Sequence, residues 1–142
     1  FMFLSLEDGK GNVVARNEYC LAEKEDRHNW KKYRWWRTQM ETYADFSPMN
    51  DLAKADLEVS AGRTEKGAEV TIENRSSVVA LLVRMDIKDA SGEILTPVFW
   101  NDNMSSLAPG EKCTFSCTCP GGLPEEAVLS LHGWNSDASL NL

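Results

Sequence analysis

The sequence predicts an all-β chain built on an antiparallel β-sandwich, and three observations predict it. Short apolar rows alternate with polar residues: Leu57, Val59 and Ala61; Ala68, Val70 and Ile72; Leu81, Val83, Met85 and Ile87. Period-two alternation sets one face of a strand against a core and the other against water. Turn chemistry separates the rows at sandwich spacing, at Asn74-Arg75-Ser76, Asp89-Ala90-Ser91-Gly92, Ala108-Pro109-Gly110-Glu111 and Pro120-Gly121-Gly122. Cys113, Phe115, Cys117 and Cys119 then share one face of a strand over residues 112–119, with Lys112, Thr114, Ser116 and Thr118 on the other. With further strands over 94–100, 104–107 and 127–134, seven candidates result, close to an immunoglobulin-like count. The antibody-type Cys…Trp…Cys pattern is absent.

The chain divides into three segments. Residues 1–21 read as a β-hairpin turning at Asp8-Gly9-Lys10-Gly11, because Asp-Gly accepts the backbone such turns need. Residues 22–53 are charged and aromatic without a clean period, a long connector with one helical turn near Ser47-Pro48. Residues 54–142 form the sandwich. Its expected core is Leu57, Val59, Val70, Ile72, Leu81, Val83, Met85, Phe115, Cys117, Leu129 and Leu131. An opening at Phe1 without an initiator Met is what a fragment or processed chain would show.

A chain of 142 residues buries roughly two-thirds of its unfolded surface. No apolar run approaches the ~20 residues of a membrane span. The opening Phe-Met-Phe-Leu-Ser-Leu lacks a basic flank and is broken by Glu7-Asp8-Gly9, so it reads as a mature strand rather than a signal peptide. The net charge of −7 excludes a general nucleic-acid binder.

Candidate chemistry is sparse. Along one strand, Cys113 and Cys117 lie about 13 Å apart, beyond bridging distance, so the cysteines read as small core residues. A pairing of Cys20 with one of them stays open, and zinc lacks a second ligand pair. His28 and His132 read as surface residues without motif context. Asn101-Asp102-Asn103 supplies too few oxygens for calcium and reads as side chains bonding local backbone. The stretch Trp30-Lys31-Lys32-Tyr33-Arg34-Trp35-Trp36-Arg37 reads as linker aromatics packed against neighbouring domains, with sugar stacking and nucleic-acid binding as the other readings. No catalytic residue, metal or cofactor is expected in this chain.

The segment Val98-Phe99-Trp100-Asn101-Asp102-Asn103, followed by Leu107-Ala108-Pro109-Gly110-Glu111, resembles a family motif. The C-terminal immunoglobulin-like domains of glycoside hydrolase family 2 exo-β-glucosaminidases, and of their β-mannosidase relatives, carry Val-Phe-Trp-Ser-Asp-Asn and then Leu-Leu-Pro-Gly-Glu. Asp8-Gly9-Lys10-Gly11-Asn12-Val13-Val14-Ala15-Arg16-Asn17-Glu18-Tyr19-Cys20-Leu21 is similar to the strand pair closing the preceding domain in those enzymes. Trp35-Trp36-Arg37-Thr38 and Tyr43-Ala44-Asp45-Phe46 are similar to their linker. Glu18 stands where the family has an aromatic residue, Cys20 where it has Trp, and Asn101 where it has Ser.

The resemblance implies a non-catalytic accessory domain whose partners are other domains of one parent polypeptide, in a periplasmic or secreted glycosidase. An Asn-Glu pair carries the acid/base in catalytic barrels of that clan, but Asn17-Glu18 lacks the surrounding alternation of strands and helices. The alternative is a carbohydrate-binding module in which Trp35, Trp36 or Trp100 stacks on sugar rings, so that oligosaccharide is the partner. A protein-interaction sandwich unrelated to glycosidases is the third reading. Without its parent, the hairpin over residues 1–21 presents open edges, so it is expected either to fold back beside the sandwich with the Trp30–Trp36 connector packed between them or to pair with a second copy in a non-native dimer.

Overall fold

The computed structural model describes residues 1–142, and every regular element but one short helix is a strand. The chain separates into two compact units, Phe1–Leu52 and Ala53–Leu142.

The first unit holds two antiparallel ribbons. β1 (Met2–Glu7) pairs with β2 (Val13–Tyr19). The Asp8 carboxylate ties their turn by accepting from the Asn12 side chain and from the Asn12 and Lys10 amides. Those bonds hold its pKa below the ordinary carboxylate value. β3 (Arg27–Arg34) pairs with β4 (Arg37–Thr42), and a single 3₁₀ turn spans Ser47–Asp51. The segment read as a periodless connector is therefore half strand. Its side chains alternate without one face being buried, so its sequence carries no period to detect.

The second unit is an immunoglobulin-like sandwich of eight strands rather than seven. β5 (Leu57–Arg63), β6 (Gly67–Asn74), β10 (Lys112–Thr118) and the short β8 (Phe99–Trp100) form one sheet in the order β5-β6-β10-β8. β12 (Asp137–Asn141), β11 (Val128–His132), β7 (Ala80–Lys88) and β9 (Ser105–Leu107) form the other, in the order β12-β11-β7-β9. These orders correspond to the ABED and GFC arrangements of immunoglobulin sandwiches, with one short strand added at the C edge. β12 is the missed strand. It offers only Ala138 and Leu140 inward, too weak an apolar row to register.

The core lies between the sheets, and Val70, Ile72, Val83, Met85, Leu107, Leu129 and Leu131 are closed to solvent. The Leu81 row faces inward as the alternation predicts. Leu57 and Val59 also face inward and pack against this core, but they are only half-buried, because β5 is the outer strand of its sheet. All four cysteines are free. Cys117 and Cys119 are buried and Cys113 is half-buried on the inward face of β10, whereas Cys20 is exposed in the first unit. Desolvation raises the Cys117 pKa above the ordinary thiol value. A thiol reagent at neutral pH is therefore expected to modify Cys20 promptly in the folded chain. Cys117 should react only on unfolding, as peptide mapping after timed labelling will read.

Candidate functional site

Two places could carry function: the loop motif of the sandwich and the aromatic surface of the first unit. In the loop, Asn101 and Asn103 act as pieces of β-ladder. Asn101 N–H donates to Ser116 O at 2.9 Å, and its Oδ1 accepts from Ser116 N at 2.7 Å. Asn103 Oδ1 accepts from Met85 N at 2.8 Å while its Nδ2 donates to Met85 O at 2.9 Å. Ser116 lies in one sheet and Met85 in the other, so the two asparagines anchor the crossing loop at both ends. Asp102 between them accepts from Ser105 Oγ at 2.8 Å and from Asn103 N at 2.8 Å. The expected local backbone bonding is present, from the Asn103 and Met104 amides, and the two asparagines also reach strands distant in sequence.

The Ala-Pro-Gly-Glu turn has a parallel explanation. Glu111 N–H donates to Ala108 O at 3.0 Å across Pro109 and Gly110, and Gly110 sits at φ 76°. Pro second and a positive-φ residue third make a type II turn. Asn74, fully buried, donates from Nδ2 to Val78 O at 2.7 Å and to Leu107 O at 3.1 Å. The motif is thus architecture: its polar groups are occupied holding strands together.

His132 enters a Ser-His-Asp chain that its sequence context did not reveal. Its Nε2 lies 2.8 Å from Ser130 Oγ and its Nδ1 3.1 Å from Asp137 Oδ1. The alternation that could have found it places Ser130 and His132 on one face of a strand. As a nucleophilic triad it fails on surroundings. Ser130 is only 6% exposed, and its strand is flanked on both sides, so the nearby backbone amides are engaged in ladders and none is left for an oxyanion.

Glu18 lies within a hairpin strand. It lies 3.8 Å from Arg16 on β2, and Asn17 bonds Tyr19 Oη and the Glu18 amide. No group of three or more His, Cys, Asp and Glu is placed to hold a metal ion.

The first unit is the more unusual surface. None of its residues is buried, yet it exposes 14 large hydrophobic side chains, including Leu4, Leu6, Trp30, Tyr33, Trp35 and Trp36. A bulge in β3 between Asn29 and Arg34 throws Trp30 and Tyr33 outward with Lys31 and Lys32, and Trp35-Trp36 form the tip. Those two indoles meet edge to face, with centroids 5.3 Å apart and planes at 83°. They are 82% and 63% exposed but share no plane for a sugar to lie on. Trp100 belongs to the other unit, half-buried against the sandwich core, and is not the open platform its strand-end position suggests. His28 stacks at a tilt on Trp30 with centroids 5.4 Å apart.

Beside this surface a cleft of about 800 Å³ is lined by Phe1, Leu21, Tyr43, Phe46, Met49 and Asp45, among others. The Cys20 thiol donates to Met49 Sδ at 3.5 Å within it. Asp45 accepts from the Ser47 hydroxyl and amide, and those bonds hold its carboxyl below the ordinary value. A proton donor for glycoside cleavage needs the opposite shift.

Comparison with known proteins agrees with this architecture. A family model described as the exo-β-D-glucosaminidase Ig-fold domain matches residues 35–136. An exo-β-D-glucosaminidase of Arthroderma benhamiae is 35% identical over 144 residues, covering 99% of this chain and 16% of that protein. One from Amycolatopsis orientalis is 33% identical over 144 residues, covering 92% of this chain and 14% of that protein. The crystal structure of the A. orientalis exo-chitosanase CsxA superposes with a TM-score of 0.80 at 29% identity, over 96% of this chain and 17% of that one. The chain therefore spans about one-sixth of the relatives it matches. It belongs to the exo-β-D-glucosaminidase immunoglobulin-fold domain family.

Proposed function

We propose that this chain is a non-catalytic accessory domain of a family 2 exo-acting glycoside hydrolase that cleaves β-glucosaminide linkages, and that it braces the catalytic part of that polypeptide. The observation that carries the reading is the first unit's lack of any buried residue beside its 14 exposed large hydrophobics. Two-stranded ribbons of this kind are marginal in water, and apolar surface of that extent marks a contact face. Residues outside this chain supply the missing side of the core. The names of the relatives favour glucosaminide over mannoside as the parent's substrate. A polymeric substrate such as chitosan does not cross membranes, which favours a periplasmic or secreted parent.

The isolated chain is expected to leave chromogenic β-glucosaminide and β-mannoside uncleaved at any pH. Turnover abolished by substituting one of its Asp or Glu residues would overturn the non-catalytic assignment.

A further inference from the structure

The sandwich carries an apolar face of its own. Leu82 and Met104 both hold positive φ, 51° and 61°, and both are exposed, at 38% and 54%. The left-handed region is disfavoured for side chains of this kind and is cheap only for glycine. Large apolar residues held outward in a strained backbone are the reverse of what solubility alone would select.

The two lie together. Ser105 pairs with Val83, and Asn103 bonds the Met85 backbone, which sets Met104 beside Arg84 on the outward side of β7. Leu82 N–H donates to Ser106 Oγ at 3.1 Å in the β7–β9 bulge. On the other flank of β7, Trp134, 54% exposed, donates its backbone N–H to Leu81 O at 2.8 Å. The neighbouring polar groups bond one another: Arg84 pairs with Asp86 at 2.8 Å, and His132 Nδ1 lies 3.1 Å from Asp137 Oδ1. An aromatic and aliphatic centre with a self-paired polar rim is the composition of a protein contact. It offers no excess of positive charge to phosphate or to an anionic membrane.

We propose that the Leu82–Met104–Trp134 face seats a further domain of the same polypeptide; this rests on the accessory-domain reading above. The occupant follows from two facts. The chain spans only 14–17% of its relatives, so most of such a polypeptide lies outside it. Three side chains also fall far short of the ~800 Å² per partner that a stable free association needs. A tethered domain meets an effective concentration in the millimolar range and is held by a smaller patch.

The test is hydroxyl-radical footprinting with mass spectrometry, on the Phe1–Leu142 chain and on the longer polypeptide that contains it, at matched radical dose. Met104 and Trp134 should label readily in the chain and about tenfold less in the polypeptide, as side chains entering an interface centre do. If Trp35 and Trp36 become protected while Met104 and Trp134 stay reactive, the proposal is overturned and the accessory-domain reading stands. If none of the four is protected, both fall. Protection already present in the isolated chain, together with a doubled mass, assigns the face to a second copy and also overturns the proposal.

Discussion

Replacing Asn135 by Ala is expected to destabilise the sandwich by about 3–4 kcal/mol, because two buried backbone groups and a part-buried one lose their partner at once. Asn135 Nδ2 donates to Ala53 O and Val79 O, both at 2.8 Å, and Oδ1 accepts from Leu81 N at 3.0 Å. Its own carbonyl accepts from Ala55 N at 2.9 Å. One side chain, 8% exposed, thereby fastens the chain entering the sandwich to the start of β7 and to the β11–β12 turn. Alanine fills less space and satisfies none of these groups. Each stranded buried group costs about 1–3 kcal/mol, less than additively where water can reach it.

Asn135→Asp separates the hydrogen bonds from the shape. The carboxylate keeps the Leu81 N–H but turns a negative charge toward two carbonyl oxygens. Burial and those oxygens both disfavour the charged form, so the folded-state pKa should rise above the ~3.9 of an unfolded Asp. A raised folded pKa means that the native state binds the proton more tightly. The Asp variant's stability should therefore be greatest at low pH and fall as pH rises through that window. Urea unfolding of wild type and both variants across pH reads these outcomes. A loss under 1 kcal/mol for the Ala variant would mean that the three groups find other partners.

Asn135 also shows where sequence reading stops. Leu81, Val83, Met85 and Ile87 were legible because one-sided burial imprints a period on a strand. An asparagine in a turn carries no comparable mark. Its role depends on Ala53 and Val79, 82 and 56 residues away, and those distances exist only after folding. The Asn101-Asp102-Asn103 loop was conspicuous in sequence, yet its work of spanning two sheets follows from Ser116 and Met85 lying in different layers.

The β3–β4 ribbon escaped for the opposite reason. Its pattern reports burial, and within this chain it buries nothing. The positive φ values of Leu82 and Met104 were invisible because neither position holds the glycine that usually announces them. Trp35, Trp36 and Trp100 were grouped by residue type. The structure divides them into an exposed pair at a ribbon tip and a half-buried side chain on the sandwich core.

Leu131→Ala is expected to cost about 2–5 kcal/mol, the range for large-to-small changes at fully buried sites. Leu131 has no solvent exposure and sits on β11 between Met85 of β7 and Ala138 of β12, with Leu129 next along its row. Ladders on both sides hold that backbone, so little collapse can fill the hole. Leu57→Ala removes the same atoms from β5, an outer strand where the side chain is half-buried and the backbone can shift. Its cost should be less than half that of Leu131→Ala, since transfer and cavity terms both shrink with exposure.

Chemical denaturation of the Phe1–Leu142 chain, followed by a probe of the sandwich, gives both values. Equal losses at the two positions would show that β5 is as enclosed as β11. A negligible loss at Leu131 would show that the two sheets do not close on each other as described. A large loss with the unfolding slope unchanged places the whole effect in the stability of the cooperative unit that holds β11, Ala53–Leu142.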